Sequence, residues 1–270
     1  MERLETEIYL RYKQIIESQG VGTSVLAGGA SPAPRYTRME DLLDRYDAFC
    51  FDGYGTLYNR GSFVYEGALD WYTMLRAVGK QMRLITNAAS DVDSVLVADA
   101  AKRGFAFSEA ETISSGSLLK DLCVELRGRG KMVREVYYIG RETGKHVLES
   151  CGITAVALDA EPAEPIVAIS SAKDTPESYA QAVKILKRPG AMLLVLNSDA
   201  WAPKILGNDG VTVREPVSGA LSERLRRDSM CSANGGAGCE TFYLGKPFPA
   251  IWEKVKRSLP GARVLMVGDT

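Results

Sequence analysis

The chain has 270 residues, of which 46% are hydrophobic, and its 33 basic side chains nearly balance 34 acidic ones to give a formal net charge of −1. This length allows one large or two modest domains with a sizeable buried core, and the lack of a basic surplus argues against nucleic acid or an anionic membrane as a partner. Five cysteines without a C-x-x-C pair argue against a disulfide framework and a zinc site. The sequence has no apolar signal core at its start and no apolar run of ~18 residues, so we expect a cytoplasmic protein with reduced thiols.

The first 40 residues are predicted to form an N-terminal region with one helix and a linker. Apolar side chains recur at helical spacing over residues 3–18, which indicates an amphipathic helix. Residues 20–34 are rich in Gly, Ser, Ala and Pro and are predicted to be a loop or linker. The helix is expected to pack on the outside of the core; the alternative is a contact between two copies of the chain in a homodimer.

One acidic side chain follows directly after a short apolar run near residue 50. The run Ala48 to Phe51 is typical of a buried parallel strand, and it ends at Asp52. Gly53 and Gly55 then allow a sharp turn whose backbone N–H groups can face an anion. Since ligands bind at the carboxyl ends of strands in open α/β sheets, we expect chemistry at Asp52.

Three later predicted strands also end in polar side chains. A hydroxyl, an amide, an ammonium and a second carboxylate stand at these ends, at Thr86, Asn87, Lys246 and Asp269. A nucleophilic acid, a hydroxyl donor, a lysine and a second acid together suit phosphoryl transfer. The lysine and a divalent cation can offset the charge of the phosphate, while the hydroxyl and the loop N–H groups orient it.

These motifs, in this order, resemble those of the haloacid dehalogenase-like hydrolase superfamily. That superfamily has an Asp-x-Asp-Gly-Thr loop, a Thr or Ser, a Lys, and a Gly-Asp acid. The matching residues here are Asp52-Gly53-Tyr54-Gly55-Thr56, Thr86, Lys246 and Gly268-Asp269. The resemblance covers residues 45–270 and implies an α/β protein whose doubly wound, Rossmann-like parallel-sheet core carries an inserted α/β cap domain.

The spacing of the motifs predicts where the cap is inserted. Only 34 positions separate Asp52 from Thr86, which one turn and one helix use up, whereas 160 positions separate Thr86 from Lys246. We therefore assign residues 41–114 and 241–270 to the core domain and residues 115–240 to the cap. A large α/β cap in that place resembles subclass IIA of the superfamily, which includes p-nitrophenyl phosphatases and nucleotide monophosphatases. Asn197-Ser198-Asp199 resembles the Asn-Pro-Asp cap signature of that subclass, with serine in place of proline.

Apolar runs and helical periodicity place the regular elements along the chain. Strands are predicted at residues 48–51, 82–85, 112–114, 136–139, 165–170, 192–196, 241–244 and 263–267. Helices are predicted at residues 39–45, 66–78, 91–103, 145–150, 176–187 and 220–227. The glycine-rich run at residues 235–238 is predicted to be a hinge that re-enters the core.

The resemblance implies a mechanism and a set of site residues. Asp52 would attack phosphorus and form an aspartyl-phosphate, while Thr86 and Lys246 would hold the transferring group. Mg²⁺ would sit between the carboxylates of Asp52 and Asp269 and the backbone carbonyl of Tyr54, since this ion prefers oxygen ligands. The remaining substrate-binding positions are Gly53, Tyr54, Gly55, Thr56 and Asn87. The substrate would be a small phosphorylated metabolite.

Tyr54 departs from the pattern of the superfamily. Its phosphatases carry a second Asp at this position, which protonates the leaving group and then activates water. A phenol with a typical pKa of ~10 is a poor base at neutral pH, and general acid–base help is worth roughly 10²- to 10⁴-fold. The residues therefore leave open a slow phosphatase and a catalytically weakened protein that binds a phosphometabolite or a partner. A haloacid dehalogenase is a third alternative, although those enzymes carry a helical cap between the first two motifs.

The chain stops directly after the fourth-motif acid. The superfamily normally continues with a helix and at least one more strand, so we expect a core domain that is incomplete at its C-terminus. In that case the strand at residues 263–267 would lie at the edge of its sheet.

Overall fold

The computed structural model describes residues 2–18, 38–59, 61–206, 211–230 and 239–268. Its α-helices are α1 (Glu2–Ser18), α2 (Ala68–Ala77), α3 (Asp93–Ala101), α4 (Leu118–Gly128), α5 (Gly144–Glu149), α6 (Pro176–Leu186), α7 (Ser218–Met230) and α8 (Pro249–Ser258). Short 3₁₀ helices lie at Met39–Leu42 and Glu109–Glu111. Its strands are β1 (Ala48–Phe51), β2 (Gln81–Thr86), β3 (Thr112–Ser114), β4 (Glu135–Ile139), β5 (Thr154–Ala155), β6 (Ile166–Ile169), β7 (Met192–Val195), β8 (Trp201–Leu206), β9 (Val211–Pro216), β10 (Glu240–Tyr243) and β11 (Val264–Val267).

The first of two compact units, called here the core unit, contains residues Leu10–Thr86, Asp93–Ser114 and Ile251–Thr270. Its sheet has the strand order β11-β1-β2-β3, and every neighbouring pair is parallel. The apolar run of β1 is buried along its whole length because the strand pairs on both sides. Phe49, Leu75, Leu84 and Phe105 belong to the hydrophobic cluster of this unit.

The second unit, called here the cap unit, contains residues Met1–Tyr9, Asn87–Val92 and Ser115–Ala250. Its sheet has the order β10-β7-β6-β4-β5 with parallel pairs, and β8 and β9 form a separate antiparallel pair. The central strands β6 and β7 are continuous apolar runs and are completely buried. Helix α6 begins with Pro176 after Thr175, whose side chain accepts a hydrogen bond from the Ser178 backbone N–H.

The α/β class and the parallel, Rossmann-like sheet of the core are as the sequence predicts. Strands β1 and β3 have the predicted bounds, and the bounds of six others agree within one residue, namely β2, β4, β6, β7, β10 and β11. The predicted linker at 20–34 and the predicted hinge at 235–238 lie outside the described residues. Among the described residues, β11 lies at the edge of its sheet.

In the cap unit, strand β10 and the pair of β8 with β9 differ from expectation. Strand β10, which we assigned to the core domain, pairs in parallel with β7, and the compact cap unit continues to Ala250. The physical reason is that a short apolar run predicts a buried strand but does not say which sheet contains it. The antiparallel pair β8 and β9 was not predicted, because its strands contain Pro203 and the charged residue Arg214.

No helix in the described part of the chain combines the length and the apolar composition that a bilayer crossing requires.

Candidate active site

Asp52 stands at the carboxyl end of β1 in the core unit. Its backbone N–H donates to the carbonyl of Val267 at 2.9 Å, which continues the pairing of β1 with β11 by one residue. Its side chain then leaves the strand, and its Oδ1 accepts a hydrogen bond from the Gly53 N–H at 2.8 Å. Only 9% of Asp52 is exposed. The main chain of Asp52 is thus fixed by β11, and its largely buried carboxylate is held by the Gly53 N–H.

The turn after Asp52 closes on itself within a few residues. The Gly53 carbonyl accepts from the backbone N–H groups of Leu57 at 2.9 Å and Tyr58 at 3.1 Å, and the Gly55 N–H donates to the Tyr58 carbonyl at 3.0 Å. Gly55 has φ +92°, a left-handed conformation that favours glycine. Within the described structure, the buried Oγ1 of Thr56 has no hydrogen-bond partner. A buried hydroxyl of this kind suits a ligand atom that the chain itself does not provide.

The side chain of Tyr58 fills the space beside Gly53. A Cβ placed on Gly53 would lie 2.7 Å from Tyr58 Oη, so the position next to the nucleophile has no room for a side chain. The guanidinium of Arg103 lies over the Tyr58 ring, 4.8 Å from its centroid. Burial, followed by the neighbouring Tyr54, raises the pKa of the Tyr58 phenol above its usual range. Tyr58 is therefore a packing residue of the loop and stays protonated at neutral pH.

Tyr54 leans away from the turn toward helix α3. Its ring meets that of Tyr58 edge to face at 5.2 Å, and its hydroxyl donates to Asp99 Oδ2 at 3.1 Å. The same carboxylate, on α3, forms an ion pair with Arg103 at 2.7 Å. Because 41% of Tyr54 is exposed, this contact stands in water and contributes little to stability. It does show where the phenolic proton points.

Thr86 and Cys50 are the other core-unit residues of interest. Thr86 ends β2, which pairs with β1 in parallel, so both strands deliver their last residues to the same edge of the sheet. Only 5% of Thr86 is exposed. The Cys50 thiol is fully buried, and burial raises its pKa to about 12, which makes it inert at neutral pH.

Lys246 belongs to the cap unit, where it follows β10. Its backbone N–H donates to Asn87 Oδ1 at 2.7 Å, and its carbonyl accepts from Asn87 Nδ2 at 3.0 Å and from Ser198 Oγ at 2.6 Å. Asn87 Nδ2 also donates to Asp199 Oδ1 at 2.7 Å. The backbone around Lys246 is therefore held by side chains from two other segments of the chain.

The predicted site residues thus fall into two groups. The core unit contains Asp52, Gly53, Tyr54, Gly55, Thr56 and Thr86, and the cap unit contains Asn87 and Lys246. Asp269 lies outside the described residues. Asn87, which we predicted to bind substrate, has both ends of its amide engaged by protein groups. Among the described residues, no three His, Cys, Asp or Glu side chains form a group that could hold a metal.

Three residues around the predicted site were not assigned roles from the sequence. Asp99 is 45 positions from its partner Tyr54, and no motif links the two. Ser115 donates from its hydroxyl to the Asn87 carbonyl at 2.8 Å and is likewise outside every motif. Ser198 lies in the Asn197-Ser198-Asp199 cap signature, and this position was the one sequence signal that could have pointed to a role for it.

A family model described as haloacid dehalogenase-like hydrolase matches residues 49–154. The chain is 26% identical over 259 residues to a human glycerol-3-phosphate phosphatase, a match that spans 86% of this chain and 75% of that protein. Two solved structures share its fold. One is a 4-nitrophenylphosphatase from Thermotoga maritima, with a TM-score of 0.66, 20% identity and coverage of 85% of this chain and 80% of that chain. The other is a glycerol phosphate phosphatase from Mycobacterium tuberculosis in complex with magnesium, with a TM-score of 0.63, 21% identity and coverage of 84% and 63%.

The family model confirms the resemblance to the haloacid dehalogenase-like hydrolases that the sequence motifs indicate, and one of the two neighbours is a 4-nitrophenylphosphatase. The chain is thus similar to the haloacid dehalogenase-like hydrolases over residues 49–154, and it shares the fold of these solved phosphatases.

Proposed function

We propose that this protein is a phosphatase that hydrolyses small phosphate monoesters, with glycerol phosphate as the first candidate substrate, through an aspartyl-phosphate on Asp52. The observation that carries the proposal is the largely buried Asp52 carboxylate at the carboxyl end of β1, next to a closed glycine turn. The relatives described above are phosphatases, and two of them are named as phosphatases of glycerol phosphates. We expect the enzyme to act in the cytoplasm, and a homodimer stays a prediction.

The proposed reaction has two displacements at phosphorus. A carboxylate oxygen of Asp52 attacks the phosphorus of the monoester, the bond to the ester oxygen breaks, and the leaving alkoxide takes a proton from solvent water. A water molecule then attacks the same phosphorus and loses a proton to the solvent, the bond to Asp52 breaks, and inorganic phosphate leaves with the carboxylate restored. The Thr86 hydroxyl and the Lys246 ammonium would stabilise the equatorial oxygens in both steps.

The chemistry of the donor set fits a hard divalent cation. Asp52 offers a carboxylate, Tyr54 a backbone carbonyl and Asp269 a second carboxylate, and all three are oxygen ligands of the kind that Mg²⁺ prefers. When bound, the ion would offset the negative charge of the phosphate during transfer. One glycerol phosphate phosphatase of this fold contains magnesium. We therefore propose Mg²⁺ as the cofactor.

The position of Tyr54 favours a second candidate, a protein that binds a phosphometabolite and turns it over slowly. The Tyr54 hydroxyl donates its proton to Asp99 at 3.1 Å, and a phenol is a weak base toward water at neutral pH. Formation of the aspartyl-phosphate would then outpace its hydrolysis. The dehalogenase alternative is weaker, since the described residues between β1 and β2 contain the single α-helix α2 and no helical cap.

Hydrolysis of p-nitrophenyl phosphate and of glycerol phosphate, with Mg²⁺ and with EDTA, would test the proposal. We expect Mg²⁺-dependent turnover that falls by at least about 10⁴-fold in Asp52→Asn, because this change removes the attacking oxygen but keeps the size of the side chain. Asp70→Asn, an exposed acid on α2 of the same unit, is the matched control and should leave the rate unchanged.

Two other outcomes are distinguishable. A burst of one product per enzyme followed by slow turnover would support the binding candidate, and acid-quenched protein would then carry phosphate on Asp52. Full activity of Asp52→Asn would overturn the proposed mechanism.

A further inference from the structure

The main chain of Lys246 is held by side chains on both sides of the residue. Its N–H donates to Asn87 Oδ1 at 2.7 Å, and its carbonyl accepts from Asn87 Nδ2 at 3.0 Å and from Ser198 Oγ at 2.6 Å. Lys246 lies in the turn between β10 and α8. Here the partners lie 159 and 48 positions away along the chain.

The amide of Asn87 can take only one orientation in this arrangement. A backbone N–H can only donate, so the atom that faces it must be Oδ1; a carboxylate can only accept, so the atom that faces Asp199 must be Nδ2. Asp199 Oδ1 accepts from Nδ2 at 2.7 Å. The Asn87 main chain is also fixed, because its carbonyl accepts from the Ser115 hydroxyl at 2.8 Å.

Gly245 permits this close approach. Its φ is +92°, and a Cβ at this position would lie 2.4 Å from Asn87 Oδ1 and 2.8 Å from the Ser115 side chain. Ser115 and Ser198 are 0% and 1% exposed, so the cluster is closed to water on these sides. Buried hydrogen bonds are difficult to replace when one partner is removed, because the other is left unpaired.

Ser198 occupies the middle position of the Asn197-Ser198-Asp199 turn, where the cap signature that this turn resembles has proline. A proline side chain cannot donate a hydrogen bond, so the contact of Ser198 with the Lys246 carbonyl depends on the serine of this chain. Two side-chain contacts of this turn lead toward the lysine segment: Asp199 holds Asn87, which in turn holds Lys246, and Ser198 holds Lys246 directly.

We propose that Asn87, Ser198 and Asp199 are positioning residues that fix the backbone of Lys246 and thereby the placement of its ammonium. The proposal rests on the function proposed above. A lysine ammonium sits at the end of a flexible four-carbon stem, so its placement depends on how well the backbone at its base is fixed. Displacement of a catalytic group by about 1 Å can cost about 10²-fold in rate.

A double-mutant cycle with Lys246 separates positioning from a general structural role. Ser198→Ala should lower kcat by about 10-fold with little change in KM for p-nitrophenyl phosphate, and Ser198→Thr should restore most of the loss because it keeps the hydroxyl. In a Lys246→Ala background, Ser198→Ala should have no further effect, since no ammonium is left to position. The matched control is Ser222→Ala, which removes another buried serine of the cap unit that donates to a backbone carbonyl at 2.7 Å; it should stay within about twofold of wild type.

Amide hydrogen exchange gives a readout that does not need activity. The Lys246 N–H should exchange about 10-fold faster or more in Asn87→Ala and in Ser198→Ala than in wild type, and it should be unchanged in Ser222→Ala. An equal loss of rate from Ser198→Ala with and without Lys246, or unchanged exchange at Lys246, would overturn the inference. Inactive wild-type protein with the expected exchange pattern would instead count against the proposed function and leave the fixed Lys246 backbone in place.

Discussion

The nucleophile turn of the core unit and the lysine segment of the cap unit are supported in different ways. The turn after Asp52 is closed by backbone hydrogen bonds between residues no more than five positions apart. The backbone at Lys246 is closed by the side chains of Asn87 and Ser198, which come from distant parts of the chain. Both segments follow a parallel strand and both use a glycine with φ +92°, Gly55 in one and Gly245 in the other.

This difference shows two ways in which a protein can fix the position of a catalytic group. The conformation of a local turn is determined by its own residues, so these residues can be recognised as one motif. Such a turn tolerates substitutions elsewhere in the chain. A segment held from a distance depends on several side chains at once, and loss of any of them loosens it. We therefore expect substitutions near Asp52 to change the rate of the reaction. Substitutions near Lys246 should change both this rate and the order of the backbone.

Among substitutions that keep Asp52, the largest expected effect comes from Tyr54→Asp, which would change the chemistry of the core unit. A carboxylate at this position can take a proton from water, so hydrolysis of the aspartyl-phosphate should accelerate by roughly 10²- to 10⁴-fold. Single-turnover release of phosphate is the measurement. Tyr54→Phe removes the bond to Asp99 and should stay within about threefold of wild type. A tenfold loss in Tyr54→Phe would show that the phenol takes part, contrary to this expectation.

The next effect concerns the stability of the cap unit. Gly245→Ala should cost about 3 kcal/mol or more, because it combines a strained φ with a contact of 2.4 Å to Asn87. Gly190→Ala is the matched control: its φ is +75° and nothing lies within 4 Å of the added Cβ, so it should cost only about 1 to 2 kcal/mol. Amide hydrogen exchange in urea, followed at the cap strands, measures both. Equal losses of stability in the two variants would mean that the Asn87 side chain moves away from the added Cβ at little cost.

The smallest effect is a pH dependence confined to the core unit. Hydrogen bonds from Arg76 lower the pKa of Glu111 from 4.5 to about 2, with Nη2 and Oε2 2.9 Å apart. Because the folded pKa is below the unfolded one, the pair stabilises the fold fully above about pH 4.5, and this stabilisation is lost as the pH falls toward 2. Wild type should therefore lose about 1 to 2 kcal/mol more than Glu111→Gln between pH 5 and 2, after allowance for solvent screening.

Unfolding by urea at several pH values, with Glu109→Gln as the exposed control from the same 3₁₀ helix, measures this difference. Parallel pH profiles for wild type and Glu111→Gln would contradict the expectation.

The strands and the nucleophile turn could be predicted because their signals are local. Apolar runs bounded by glycine and polar residues predict β1, β4, β6 and β7, and the residues after β1 predict a turn. The sheet to which β10 belongs could not be predicted, since pairing partners are chosen by long-range packing. For the same reason, the contacts of the Asn87 amide with Asp199 and Lys246 could not be predicted, and a substrate-binding role for Asn87 stays a prediction.

The pairing of β10 with β7 also determines how caps could be exchanged between relatives to alter specificity. A chimaera joined at residue 240 would separate β10 from its partner and leave the backbone edge of β7 unpaired. It would also separate Ser198 from the Lys246 carbonyl that it binds. A junction just after Ala250, combined with transfer of Met1–Tyr9 and Asn87–Val92, keeps the cap unit whole. Recombination libraries of this fold should therefore transplant the lysine segment together with the cap.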